Sequence, residues 1–143
     1  MLVRHALCIA LLAWTVGSSP LVAQEALVFK VRLSTIPVEA ATVEGLTGSG
    51  SATVSLEGNR LTVTGTFEGL QSPATSATLH VAPRGLRGPA MLDVDVTDGT
   101  SGKISGSLTL TEVQADHVRR ERVYLQVQSE DAPEGNLRGW LVR

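Results

Sequence analysis

Two basic groups, two acidic groups and three short motifs hold the reactive side chains of this 143-residue chain. Arg84 and Arg87 alternate with Gly85, Gly88 and Pro89, while Arg119, Arg120 and Arg122 form a second basic group. Guanidinium groups on a glycine-rich loop can grip carboxylates, sulfates or polysaccharide anions through paired N–H donors. Solvated arginines that keep an aromatic-poor protein soluble give the same pattern. Asp93 and Asp95 fall on one face of a strand pattern, Asp98-Gly99 follows, and Glu130-Asp131 with Glu134-Gly135 form a second acidic segment. Calcium favours such oxygen ligands, but the run from Asp93 to Gly99 misses the EF-hand spacing. Its alternation with valine is that of a solvated strand face. Gly48-Ser49-Gly50-Ser51 opens a strand, not the strand-to-helix turn that exposes a hydrolase nucleophile. Gly102-Lys103 lacks the earlier glycine and the following Ser or Thr of a phosphate loop. Asp116 and His117 are adjacent on a short helical segment and so point in different directions, as a surface pair does.

These residues need a scaffold, and composition bounds it. With 12 Lys+Arg against 14 Asp+Glu, the chain has no cationic surplus to displace counterions, which argues against nucleic acid as a partner. A hydrophobic fraction of 43 % is enough for one domain with its own core. Residues 1–23 read as a signal peptide: Arg4 and His5 precede an apolar run from Ala6 to Val16, Gly17 to Pro20 break it, and Leu21-Val22-Ala23 offers a cleavage site. The run falls short of the roughly 20 apolar residues that a membrane-spanning helix takes. The chain is therefore expected to be secreted or periplasmic, with no membrane span after cleavage, and residues 24–143 form the domain. Cys8, the only cysteine, lies in the leader, so the domain relies on packing and has no disulfide or thiolate metal site.

The dominant period from residue 24 onward is two. Leu61-Thr62-Val63-Thr64-Gly65-Thr66-Phe67 puts Leu61, Val63 and Phe67 on one face and three threonines on the other. Similar segments recur at Leu27 to Leu33, Ala52 to Leu56, Ala77 to Val81, Met91 to Val96, Ile104 to Leu110, Val123 to Val127 and Leu137 to Val142. Glu57-Gly58-Asn59 suits a tight hairpin, and Asp98-Gly99 a short reversal. Between the last strands, Thr111 or Glu112 can cap one or two helical turns through Arg120. About eight strands with one short helix fit an all-β sandwich or barrel.

In order along the chain, several stretches resemble a CHRD domain, the module named after chordin and also found alone behind bacterial signal peptides. They are Ser49 to Leu56, Thr66-Phe67-Glu68-Gly69-Leu70 with Pro73 to Ala77, Gly88-Pro89, Tyr124-Leu125-Gln126-Val127 and Asn136 to Leu141. The resemblance implies a Greek-key β-sandwich, immunoglobulin-like or superoxide-dismutase-like, with no established enzyme activity and no cofactor. The chain departs from the family pattern at Ala77-Thr78-Leu79-His80, where members carry Ala-His-Ile-His, and at Gln128, where a further histidine is common. A hydroxyl is a poor ligand for zinc or copper, so a metal site is not expected and His80 is read as bonding a loop carbonyl. Arg138 matches the family's Arg-Gly and is read as tying loops together by hydrogen bonds. The reading is an exported, non-enzymatic binding or structural module with His80, Arg84, Arg87 and Arg138 as candidate ligand contacts. A protein or a polysaccharide is its possible partner. The alternative is a degenerate metal-binding protein using His80 and acidic groups. A strand-mediated assembly subunit, built on the open edges of a sandwich, is a third possibility.

Overall fold

The computed structural model describes residues 24–36 and 46–143, so the expected signal peptide lies outside the described residues. Within them the chain forms β1 (Leu27–Thr35), β2 (Ser49–Glu57), β3 (Arg60–Glu68), β4 (Ala74–Val81), β5 (Ala90–Val96), β6 (Gly102–Thr109), α1 (Glu112–Arg119), β7 (Val123–Ser129) and β8 (Ala132–Trp140). Alternation drives the strands: in β1, Phe29, Val31 and Leu33 are buried while Val28, Lys30 and Arg32 are exposed. In β3 the same rule buries Leu61, Val63 and Phe67.

The strands follow the order β1-β2-β3-β6-β5-β4-β7-β8, and the ring closes. Hairpins join β1–β2, β2–β3, β4–β5, β5–β6 and β7–β8, whereas the β3–β4 and β6–β7 connections cross over, which is Greek-key order. The expected β-sandwich is therefore corrected to a closed β-barrel. Two seams make the difference. β8 pairs with β1 at Ser34↔Arg138 and Thr35↔Leu137, and the bridge Lys30↔Val142 extends that seam. β5 pairs with β6 at Asp95↔Ser105 and Val96↔Ile104. With both seams paired, the open edges on which strand-mediated assembly was premised are gone.

Inside the barrel, Phe29, Val54, Leu61, Val63, Leu79, Val123, Leu125, Val127 and Leu137 are fully buried in one cluster. α1 adds Ala115 and Val118 to it. Thr111 is the helix N-cap: its hydroxyl accepts from the Gln114 N–H, and the Gln114 side chain accepts from the Thr111 N–H, a capping box. The last strand starts five residues before the expected Leu137, because Ser129 pairs with Ala132 across a two-residue turn at Glu130-Asp131. The second acidic segment is thus a hairpin tip and the strand that follows it.

Candidate functional site

The outer faces of β4, β7 and β8 carry the candidate site. Two rows cross these strands in register: Thr78, Gln126 and Arg138 in one, His80, Tyr124 and Trp140 in the next. The inner face of β7 carries Val123, Leu125 and Val127, so Tyr124 and Gln126 point away from the core. Yet Tyr124 is only 1 % exposed and Gln126 only 4 %. Their neighbours cover them.

His80 stacks flat on the Tyr124 ring, centroids 4.8 Å apart and planes 5° from parallel. Trp140 meets the same ring at 4.8 Å, tilted by 56°. The Arg138 guanidinium carbon lies 4.6 Å from the Tyr124 centroid, a cation–π contact at a largely desolvated ring. Arg138 Nε and Nη2 both donate to Gln126 Oε1, at 3.2 and 2.7 Å, and Gln126 Nε2 donates to the Glu134 carbonyl at 3.1 Å. The tie expected of Arg138 therefore runs to a neighbouring strand rather than between loops.

The loop from Ala82 to Pro89 is fastened to this stack through Gly88. His80 Nδ1 lies 3.0 Å from the Gly88 carbonyl, which makes Nδ1–H the donor and agrees with the expected loop-carbonyl bond. The Tyr124 hydroxyl donates to the same carbonyl at 3.3 Å and accepts from the Gly88 N–H at 3.2 Å. A Cβ at Gly88 would overlap the Val81 carbonyl oxygen and come within 2.8 Å of the Ala82 Cβ, so only glycine allows this approach. His80 Nε2 is buried and has no partner among the described residues.

Arg87 directly precedes the fastened Gly88, and its charge bears on Arg138. Burial lowers the pKa of Arg138 from its ordinary value, the Tyr124 phenol opposes this, and the like charge of Arg87 adds to the lowering. The guanidinium remains cationic at any physiological pH. Arg84 and Arg87 are exposed, with Leu86 between them also exposed. The described ion pairs are Arg119–Glu112, Arg120–Asp116 and Arg143–Glu121, so Arg84, Arg87 and Arg138 have no carboxylate partner among the described residues. The structure thus brings His80 and Arg138 together on Tyr124, with Arg87 acting on Arg138 through its charge. No contact among the described residues ties Arg84 to the stack.

Tyr124, Gln126 and Trp140 were not among the expected contacts. Their signal in the sequence is faint: Tyr124 and Gln126 occupy the polar phase of the β7 alternation, and Arg138 and Trp140 share a phase in β8. Only the register brings the two pairs together.

Elsewhere the geometry offers less. Among the described residues no three His, Cys, Asp or Glu side chains converge to hold a metal ion, so the alternative metal-binding reading gains no geometric support. Asp93 accepts a long 3.4 Å hydrogen bond from Thr78, and Asp116 pairs with Arg120 at 2.9 Å. A shallow groove of about 470 Å³ lies across β1, β2 and β3 between Arg32 and Glu68, and none of the four candidate contacts lines it. No helix among the described residues is long and apolar enough to cross a membrane.

Strand order and outer-face stack together define a small Greek-key β-barrel that carries an arginine-over-tyrosine cluster on its wall. The chain belongs to the CHRD domain family, whose model matches residues 29–141, from the first core residue of β1 to just past β8. No curated protein and no solved structure matches the chain.

Proposed function

We propose that this CHRD domain is an exported, non-enzymatic binding module that holds an anionic ligand on the outer wall formed by β4, β7, β8 and the loop from Ala82 to Pro89. One observation carries the reading: Arg138, half-buried with its guanidinium over Tyr124, has no carboxylate partner among the described residues, and the like charge of Arg87 bears on it. A partly buried cation without a counter-charge is costly for a protein to maintain, and an anionic ligand offsets that cost. His80, Gln126 and Gly88 fix the groups in place, which suits recognition by a preorganised surface.

Affinity electrophoresis through gels containing an acidic polysaccharide tests the reading. Retarded migration of the wild-type domain, weakening with added salt and lost in the Arg87→Gln, Arg138→Gln double variant, is the expected result. Unretarded migration in every acidic polymer, or retardation that the double variant retains, overturns it. Export is tested separately by the mass of the chain recovered outside the cytoplasm, expected to begin at Gln24.

A further inference from the structure

Arg138 has five N–H donors arranged in a planar fork, and they are not all occupied. Nε and the adjacent Nη2 each give one hydrogen to Gln126 Oε1, which closes the side edge of the guanidinium. The far edge, one hydrogen each from Nη1 and Nη2, has no acceptor among the described residues. Parallel N–H groups at that edge match the two oxygens of a carboxylate. Gln126 is itself held by the Glu134 carbonyl, and the guanidinium carbon sits 4.6 Å from the Tyr124 ring centre, so the fork is held on two sides before any ligand arrives.

Trp140 lies two residues further along β8 on the same face as Arg138, about 7 Å away by strand geometry. Its indole is half-buried and meets Tyr124 at a tilt, which leaves part of it accessible. An aromatic face accepts the C–H-rich side of a pyranose ring as it accepts other apolar groups. A fork for a carboxylate with an indole about one sugar ring away fits a hexuronate, whose carboxylate projects from the ring edge. Arg87, on the fastened loop, supplies a second positive charge for the neighbouring residue of a polymer.

We infer that the ligand of this wall is a uronic-acid polysaccharide, with the free edge of Arg138 taking a carboxylate and Trp140 taking the sugar ring. This inference rests on the anion-binding reading above and narrows it to one ligand class. An acidic peptide would use the fork but has no ring to set on Trp140.

Isothermal titration of the folded domain with an oligogalacturonate, its methyl ester and an oligoglutamate of equal length tests the inference. The oligogalacturonate is expected to bind, while the neutral ester and the oligoglutamate bind at least tenfold more weakly. Arg138→Lys keeps the charge and removes the fork, and it is expected to weaken oligogalacturonate binding about tenfold or more. Arg87→Gln, at an exposed position that cannot upset the core, is expected to weaken it several-fold, and Arg120→Gln on α1 not at all. Oligoglutamate binding equal to that of oligogalacturonate overturns the saccharide assignment and leaves the anion site standing. Equal binding of the ester, or full binding by a folded Arg138→Lys variant, overturns the role of the fork. Binding by neither anionic probe removes the proposed function together with the inference.

Discussion

Replacing Gly88 with alanine tests whether the loop is truly fastened to the wall. The added Cβ would meet the Val81 carbonyl and the Ala82 Cβ, backbone and core-side atoms that cannot swing aside, so the loop must lift. Lifting it breaks three hydrogen bonds, one from His80 and two with the Tyr124 hydroxyl. At about 1 kcal/mol each, this costs about 3 kcal/mol, with a further increment for leaving buried donors unpaired. Gly85 in the same loop is the control. Its φ of +84° disfavours alanine by about 1 kcal/mol, but nothing lies within 4 Å of an added Cβ. The predicted gap is about 2 kcal/mol, or about 8 °C in melting temperature for a domain of this size. Urea and thermal unfolding followed by circular dichroism measure it. In a Tyr124→Phe background the Gly88→Ala penalty should shrink, since two of the three bonds are already gone. Equal midpoints for Gly88→Ala and Gly85→Ala would refute the fastening, and with it the placement of Arg87.

Other expectations follow from the same contacts. Thr111→Ala removes one half of the capping box and should destabilise the domain by about 1 kcal/mol in urea, while Thr111→Ser should recover most of it. Hydrogen bonding from Asn59, then the bond and charge of Arg119, hold the Glu112 carboxyl below its ordinary 4.5. The stability this contributes is fully present above that ordinary value and is lost as pH falls through the lower folded-state value. Glu112→Gln should accordingly flatten the acid limb of the stability–pH curve by lowering stability slightly at neutral pH, with the two curves converging at low pH where the carboxyl is protonated. Asn136→Ala strips partners from the buried Ser129 hydroxyl and the Thr47 carbonyl, and equilibrium unfolding should show a loss of about 1–3 kcal/mol.

Local structure was legible where one strand or helix decides it. Alternation in Leu61–Phe67 dictates a strand with one buried face, and the segment from Glu112 to Arg120 reads as a short helix capped by Thr111 or Glu112, of which the structure selects Thr111. Closure is another matter. It depends on pairs such as Ser34 with Arg138 and Lys30 with Val142, residues about a hundred positions apart whose register no local pattern encodes. The strand spacing was equally compatible with a sandwich and a barrel. The start of β8 was hidden because Pro133 and Gly135, two residues disfavoured in strand interiors, lie inside it. The site divided in the same way. His80 against a loop carbonyl could be read from one loop, whereas burial of Tyr124 and Gln126 on the outer face requires Arg138 and Trp140 to arrive from the next strand.

Side-chain NMR of Arg138 tests the central claim, that its fork is held in place with one edge open, most directly. In the free domain its Nε–H should give a resolved resonance that exchanges slowly with water, unlike that of the exposed Arg84. Added galacturonate should shift the Arg138 and Trp140 indole N–H signals together along one saturable curve. An Arg138 Nε–H averaged like that of any solvated arginine, and indifferent to galacturonate, would contradict the account.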